Sequence, residues 1–451
     1  MCSEFFVSDY FPFAVAAITV IGYISGAELY LNLALLGSVA VGVAINRSLI
    51  PLVPVASMML FSVSPKNSPE SHFGSEYYKN PTVIVALAIG GLAVIAVGIA
   101  VIVRKGDASR LKLGKMPMLR GSLLFAASLT LGGALSGEWE AENLWYGGLL
   151  VLCNFAVFYL FYLGLRGEGS ERIIRSLCTT AAATALTLAA ELGHLYLMSD
   201  SLIVGGKIIK EQVLFGWGMW TMAGQFMAVC IPLCFLGAMR RERWQIFLIS
   251  ATLAAVGAVF TLSRGALLIG GAVYICSFLI ACRHGKNRKA MRRALAVISA
   301  VALVLFVLLR REIVAALSDY LERGFSDNGR FELWRHGMLA FLENPLLGKG
   351  IFGLQRELDS GTAEGFTFYP RMMHNTAVQL LGSSGIIGLI SYAIYRAQSL
   401  APFIRRPSVE KIMMLLTILV VLLGSLIDNF IFLPKHLIFY SITLAAAFAT
   451  E

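Results

Sequence analysis

Three short stretches carry residue types that can do chemistry on an anionic substrate. Arg264 lies in Thr261-Leu262-Ser263-Arg264-Gly265, a tight turn between two long apolar runs. A guanidinium there can hold two phosphate oxygens at once and stays charged at every relevant pH. Its plainer role is an anchor that snorkels at a membrane edge. Arg330 lies in Asn328-Gly329-Arg330-Phe331-Glu332-Leu333-Trp334-Arg335, where a helical pattern begins. The unpaired amides and dipole of a helix start favour an anion; the plainer reading is a solvated arginine on an amphipathic helix. His374 closes Tyr369-Pro370-Arg371-Met372-Met373-His374-Asn375, just before another apolar run. Imidazole is the side chain best suited to take a proton near neutral pH, although an interfacial histidine at a helix start is the plainer alternative. Arg371, three residues earlier, shares its face if that turn is helical.

The elements that position these groups follow from composition. Of 451 residues, 57% are hydrophobic and 14% charged, against about 25% charged in soluble proteins. That excludes an ordinary soluble protein, and disorder as well, which needs low hydrophobicity and high charge. Fourteen apolar segments are read near 11–26, 29–45, 49–63, 82–103, 117–135, 144–165, 177–197, 215–238, 245–262, 265–282, 294–309, 376–395, 412–432 and 436–450. A span takes about 20 mostly apolar residues, and several segments are short, so 12 to 14 transmembrane helices are expected. The fold class is an all-α polytopic membrane protein.

Lys and Arg set the orientation. Alternate connections hold 23 basic residues on one face, while the short loops of the other hold six: Lys66, Lys79, Lys207, Lys210, Arg264 and Lys435. The basic face is expected to be cytoplasmic, with both termini, so the net charge of +10 is a topology signal and nucleic acid is not an expected partner. Glu4 and Asp9 fit that placement of the first span poorly. Met1-Cys2-Ser3-Glu4 has no basic run, and no cleaved signal peptide is expected. The chain divides into transmembrane helices over 1–309, an extracytoplasmic (periplasmic) loop over 310–375 and C-terminal transmembrane helices over 376–451. So long a loop is usually functional or disordered. This one carries helical patterns: Ile313, Leu317 and Leu321 at spacing four, then Arg330 to Asn344, capped by Asp327 or Asn328 and ended by Asn344-Pro345.

Other groups read more plainly. Cys230 and Cys234 fall on one helix face with no other ligand type beside them, so they pack; no disulfide is expected. Glu138, Glu140 and Glu142 read as a solvated acidic loop. Glu191 and His194, three apart near an outer helix end, pair with each other or with neighbours, or serve an acceptor; Asp428-Asn429 is similar. Gly348-x-Gly350-x-x-Gly353 lacks the Gly-Lys-Ser/Thr of a phosphate loop and reads as turn glycines. Gly382, Gly385 and Gly388 read as close helix packing. No metal or cofactor is expected.

Three blocks in order resemble the O-antigen ligase and polymerase family of bacterial envelope glycan enzymes. They are Ser263-Arg264-Gly265; Gly329-Arg330-Phe331-Glu332-Leu333-Trp334 leading to Asn344-Pro345-Leu346-Leu347-Gly348-Lys349-Gly350; and His374-Asn375 followed by Leu380-Leu381-Gly382-Ser383-Ser384-Gly385-Ile386-Ile387-Gly388-Leu389. The motifs cover about 215–395. The family often has an Asn-Pro-Asn-like element where this chain reads Gly216-Trp217-Gly218-Met219-Trp220. The resemblance implies a lipid-linked sugar glycosyltransferase fold in the cytoplasmic (inner) membrane. It implies transfer of a glycan from a polyprenyl diphosphate carrier to an acceptor sugar hydroxyl, on a glycan or lipid core, at the outer leaflet; with no paired carboxylates at metal spacing in the long loop, a metal-independent, inverting displacement is expected. Arginines matching Arg264 and Arg330, with Arg371 beside them, are expected to bind the diphosphate, and the histidine matching His374 to activate the acceptor. Glu191, His194, Trp334 and Asn375 are candidates for acceptor binding or support. The rival reading is a transporter or flippase of lipid-linked oligosaccharide, which should show paired broken helices or midplane charges.

Overall fold

The computed structural model describes residues 2–67, 75–105, 116–199, 202–204, 207–209, 212–308, 310–316, 318, 329–358 and 372–451. Each of the fourteen apolar segments falls on a helix. In chain order these are α1 (Tyr10–Ser25), α2 (Glu28–Asn46), α3 (Leu52–Met58, continued by a 3-10 turn), α4 (Pro81–Arg104), α5 (Leu119–Thr130), α6 (Glu142–Val151) joined through a π turn to α7 (Val157–Leu165), and α8 (Ser170–Met198). Then come α9 (Trp220–Arg240), α10 (Trp244–Phe260), α11 (Arg264–His284) and α12 (Arg288–Leu308). The long connection contributes α13 (Arg310–Ala316), α14 (Arg330–Glu343) and α15 (Ile351–Leu358). The chain closes with α16 (Thr376–Arg405), α17 (Val409–Asp428) and α18 (Pro434–Ala449). Eight of these helices are long and apolar enough to cross a membrane, and six apolar stretches are shorter, at 10–17 residues. The chain is an all-α, multi-pass membrane protein.

The centre of the bundle is α9, buried over 94% of its most apolar stretch, whereas α12 is buried over only 6% of its own. A helix apolar all round and left uncovered needs lipid as its neighbour. Against α9 pack α8, α10, α11 and α17. Gly224 permits the closest approach: a Cβ there would stand 2.6 Å from both the Ala266 Cβ and the Thr261 Oγ1. Cys230 and Cys234 lie buried in this core, the packing that their spacing suggested. The segment expected from residue 215 begins later, because Leu214–Phe215 and Gly218–Met219 form a two-stranded antiparallel hairpin.

Ion pairs gather on the basic face. Asp9 bonds both Arg175 and Arg241; Arg240 bonds Glu171 and Glu410; Lys105 and Arg172 hold Glu168 at 2.9 and 3.1 Å. Half-exposed pairs of this kind add little stability, but they bring the expected loops to one end of the bundle. They also explain Asp9, whose charge is matched across two helices. Arg396, expected in a loop on that face, lies buried inside α16 instead. Its guanidinium is 4.8, 4.6 and 5.1 Å from the rings of Tyr392, Tyr395 and Tyr440, so cation–π contact replaces a carboxylate.

One helix is broken. Within α16, Gly385 has φ 62° and ψ −161°, a conformation essentially confined to glycine. The segment after α14 fills the break: Lys349 and Gly350 donate to the carbonyls of Gly382 and Ser383 at 2.9 Å, and Ile386 donates to Pro345 O at 2.8 Å. Gly348 and Gly350 are turn glycines at φ 59° and 81°. Gly382 does pack closely, against Gly337 of α14, but Gly385 is a backbone device and not a packing contact. A Cβ on Gly385 would meet the Leu346 carbonyl carbon at 2.3 Å. Gly385→Ala is therefore expected to cost about 3 kcal/mol or more, read as a lower melting temperature of the purified protein. Gly271→Ala on α11, where a Cβ meets nothing within 4 Å, should leave it unchanged.

Of the remaining expectations for the long loop, α14 ends at Glu343 with Asn344 as its C-cap, as the Asn-Pro pair suggested. Its N-cap is Gly329, in a left-handed conformation and without a side-chain cap. Neither Asp327 nor Asn328, expected to cap it, lies among the described residues. Ile313 falls on α13, while Leu317 and Leu321 are outside the described residues.

Candidate active site

The site is built from the N-terminal ends of three helices and the C-terminal end of a fourth. His374 stands at the entry to α16 with φ 52°. A non-glycine residue in this region is strained and needs surrounding contacts to hold it. Those contacts are present. Asn375 caps α16, its Oδ1 accepting from Ala377 N at 2.9 Å and Val378 N at 3.2 Å. Thr376 Oγ1 donates to Ser425 O of α17 at 2.8 Å. Met373 N donates to Gln379 Oε1 at 2.8 Å, and Asn429 Nδ2 donates to the same oxygen at 3.3 Å. The imidazole is thereby turned onto the end of α17, where His374 Nδ1 pairs with Asp428 Oδ1. The side chains are 39% and 12% exposed respectively, so the ring is reachable and the carboxylate largely covered. An Nδ1–H donated to the carboxylate leaves Nε2 as the proton acceptor.

Two further helix starts meet this dyad. Trp334, one turn into α14, donates from Nε1 to Met373 O at 2.9 Å, and Gly337 lies against Val378 and Met373. Arg330, four residues before Trp334 and so on the same face, opens α14 at its uncapped end. Among the described residues it has no carboxylate partner. Arg335 differs: it grips Glu332 through Nε at 3.2 Å and Nη2 at 2.9 Å, and this holds the Glu332 carboxyl below its ordinary value. Arg264 opens α11, whose N-cap Ser263 accepts from Ala266 N at 3.2 Å. The next residue, Gly265, lies against Ile427, and a Cβ there would be 3.4 Å from its Cγ2. Arg264 and Asp428 thus flank one packing contact.

Three helices, α11, α14 and α16, thus begin on elements that pack beside one histidine–carboxylate pair, with an arginine opening two of the three. Such helix starts stabilise anions. A proton acceptor beside an anion-binding corner suits displacement of an anionic leaving group by a hydroxyl.

Residues 248–393 match the O-antigen ligase family model. The match covers about a third of the chain and contains all three motif blocks, in agreement with the resemblance read from the sequence. No curated protein matches the chain. An O-antigen ligase domain marks a glycan-transferring enzyme of surface polysaccharide biosynthesis, from a family that uses lipid-linked glycan donors and acceptors in the membrane.

Within the matched segment the structure brings Trp334, His374 and Asn375 together and sets Arg264 and Arg330 at the starts of the helices that pack beside them. Arg371 lies outside the described residues. Glu191 and His194 are not part of this corner and do not bond each other. Glu191 accepts from Ser62 and, at 2.8 Å, from Trp217 Nε1, while His194 sets its ring 5.5 Å from that of Tyr23. An aromatic stack from Trp217 through Phe226 and His436 to Phe430 runs between Glu191 and the end of α17. The acidic loop is only partly solvated surface: Glu138 and Glu343 both pair with the buried Lys349. Among the described residues no group of three His, Cys, Asp or Glu could hold a metal.

Asp428 is the candidate residue whose contact with His374 the residue pattern does not show. It lies beyond the matched segment, and its signal was an ionisable group at the outer end of a span, which is expensive unless used. Gln379, also buried, has no signal beyond polarity in an apolar run, whereas Asn429 is marked with Asp428.

Proposed function

We propose that this chain transfers a glycan from a polyprenyl diphosphate carrier to an acceptor sugar hydroxyl at the outer leaflet of the cytoplasmic membrane, as a ligase or a polymerase of surface polysaccharide. The observation that carries the reading is the His374–Asp428 pair, set where α11, α14 and α16 begin. His374 Nε2 takes the proton of the acceptor hydroxyl while that oxygen attacks the anomeric carbon. The bond from that carbon to the diphosphate breaks, the carrier leaves as its diphosphate, and attack from the opposite side inverts the centre. Arg264 and Arg330, with Arg371, hold the diphosphate and offset the charge that builds on it. Asp428 is a positioning residue: it holds the ring by Nδ1 and stabilises the imidazolium that forms. Trp334 and Asn375 fix the backbone on either side of His374.

In this reading the basic face is cytoplasmic with both termini, and 310–375 forms the catalytic loop between two sets of spans. The charge supplied by arginines and helix ends makes a metal unnecessary. Purified protein given lipid-linked donor and acceptor is expected to keep its full rate in excess chelator; loss of transfer, restored by a divalent ion, rejects the metal-free mechanism. Deleting the gene separates the two activities. A polymerase defect leaves single repeat units attached to the acceptor, whereas a ligase defect leaves long chains on the carrier.

A further inference from the structure

At the end of α16 far from His374 lies a cleft that the transfer reaction does not use. There α5 and α16 run side by side. The Phe125 ring stacks on Tyr395 with centroids 5.8 Å apart, and a Cβ on Gly121 would stand 2.8 Å from the Tyr395 Cα. Gln398 Oε1 accepts from Gly121 N at 3.1 Å, and Tyr159 Oη donates to Pro117 O at 2.8 Å, so the turn into α5 is fixed from two sides. Next to these contacts, on the basic face, a cleft of about 380 Å³ lies between the start of α5, the end of α16 and Phe448 of α18.

The lining has two characters. Met116, Met118 and Phe448 supply apolar surface. Met118 is held at φ 61°, the kind of strain that collects at binding sites. Arg120 and Arg405 supply charge. Both are exposed, and neither has a hydrogen bond or ion pair among the described residues. Other basic groups of this end are committed. Arg406 donates to Glu451 O, and the carboxylates of Asp9, Glu168, Glu171 and Glu410 are held by other arginines or by Lys105. The charge of the cleft is therefore left for a ligand. Guanidinium holds a phosphate by paired hydrogen bonds, and basic pockets between helices on the cytoplasmic side take anionic lipid head groups. Inorganic phosphate would meet the arginines but leave the apolar lining in water. A zwitterionic lipid would cover the lining but bring its own cation to the arginines.

We infer that this cleft seats one anionic phospholipid of the cytoplasmic leaflet, its phosphate on Arg120 and Arg405 and an acyl chain against Met116, Met118 and Phe448. The site rests on the orientation of the basic face and not on the transfer reaction. The test is the melting temperature of the full-length purified protein, delipidated in detergent. It is titrated with dioctanoyl phosphatidylglycerol, dioctanoyl phosphatidylcholine or inorganic phosphate. Phosphatidylglycerol should raise it saturably, since a ligand bound only to the folded state stabilises by mass action; the other two should not. Arg405→Gln should raise the half-saturating concentration about tenfold, and Arg120→Gln with Arg405→Gln should abolish the rise. Ala401→Leu, which fills the cleft with both arginines in place, should abolish it too. Arg406→Gln, on the same end, should leave the titration unchanged. An equal rise with phosphatidylcholine or phosphate overturns the inference. So does a phosphatidylglycerol rise that survives in the double variant or in Ala401→Leu. Should Ala401→Leu fail to fold, the double variant, which alters only exposed side chains, decides alone.

Discussion

His374→Ala is expected to lower glycan transfer by about 10²- to 10⁴-fold with the protein still inserted and folded. The reason is geometric. His374 presents one ring edge to Asp428 and is 39% exposed, so the other edge is open to an acceptor hydroxyl. Every hydrogen bond described around it, from Asn375, Thr376, Gln379 and Trp334, fixes the backbone and leaves the ring to its single carboxylate. Removing the imidazole takes away the proton acceptor and little else. The loss should fall on kcat, with KM for the lipid-linked donor nearly constant, because the proton moves in the transition state and not on binding. Asp428→Asn keeps the shape but weakens the hold on Nδ1, and should give a smaller loss of the same kind. The assay is transfer by purified protein in detergent, with monodispersity confirming the fold. If His374→Ala retains activity within a few-fold of the parent, the base is another group.

Much of this corner was visible in the residue pattern, and the reason is locality. An arginine at a tight turn between spans, an arginine at a helix start and a histidine before a span are each defined by neighbours within a few positions. Asn375 caps the helix it precedes. The spans were visible for the same reason, as apolar runs bounded by charges. What the pattern could not show is contact between distant positions. Asp428 and His374 are 54 residues apart, and nothing near Asp428 names its partner. Glu191 shows the converse: its neighbour at spacing three suggested His194, yet its bonds go to Ser62 and Trp217, 129 and 26 residues away. Arg396 follows the same rule, because its cage includes Tyr440 of another helix. The break at Gly385 was hidden because the residues before it are small, Gly382, Ser383 and Ser384, and the run on either side is apolar, so it reads as one unbroken span. The amides of Lys349 and Gly350 and the carbonyls of Pro345 and Leu346, supplied from outside, satisfy the backbone groups that the break frees.

The second large effect belongs to the arginines. Arg264→Ala and Arg330→Ala are each expected to cost about 10²- to 10³-fold in transfer, the range for removing one fixed donor to a developing anion. Each arginine is the first residue of its helix, so its charge adds to a dipole that already points positive into the corner. The two helices reach the dyad by different routes, α14 through Trp334 and Met373, α11 through Gly265 and Ile427, and one cannot substitute for the other. Lysine in place of either arginine keeps the charge but loses the planar fork, and should recover part of the rate. Arg335→Ala is the internal control. That side chain is on the same helix but exposed and committed to Glu332, and exposed pairs contribute little, so activity should stay near the parent's. The comparison separates a local clamp from a general need for positive charge. Equal losses at Arg330 and Arg335 would mean that the field of α14 matters and the position of Arg330 does not. A large loss at Arg330 with Arg335 silent, partly restored by lysine, is what a diphosphate held at the helix start requires.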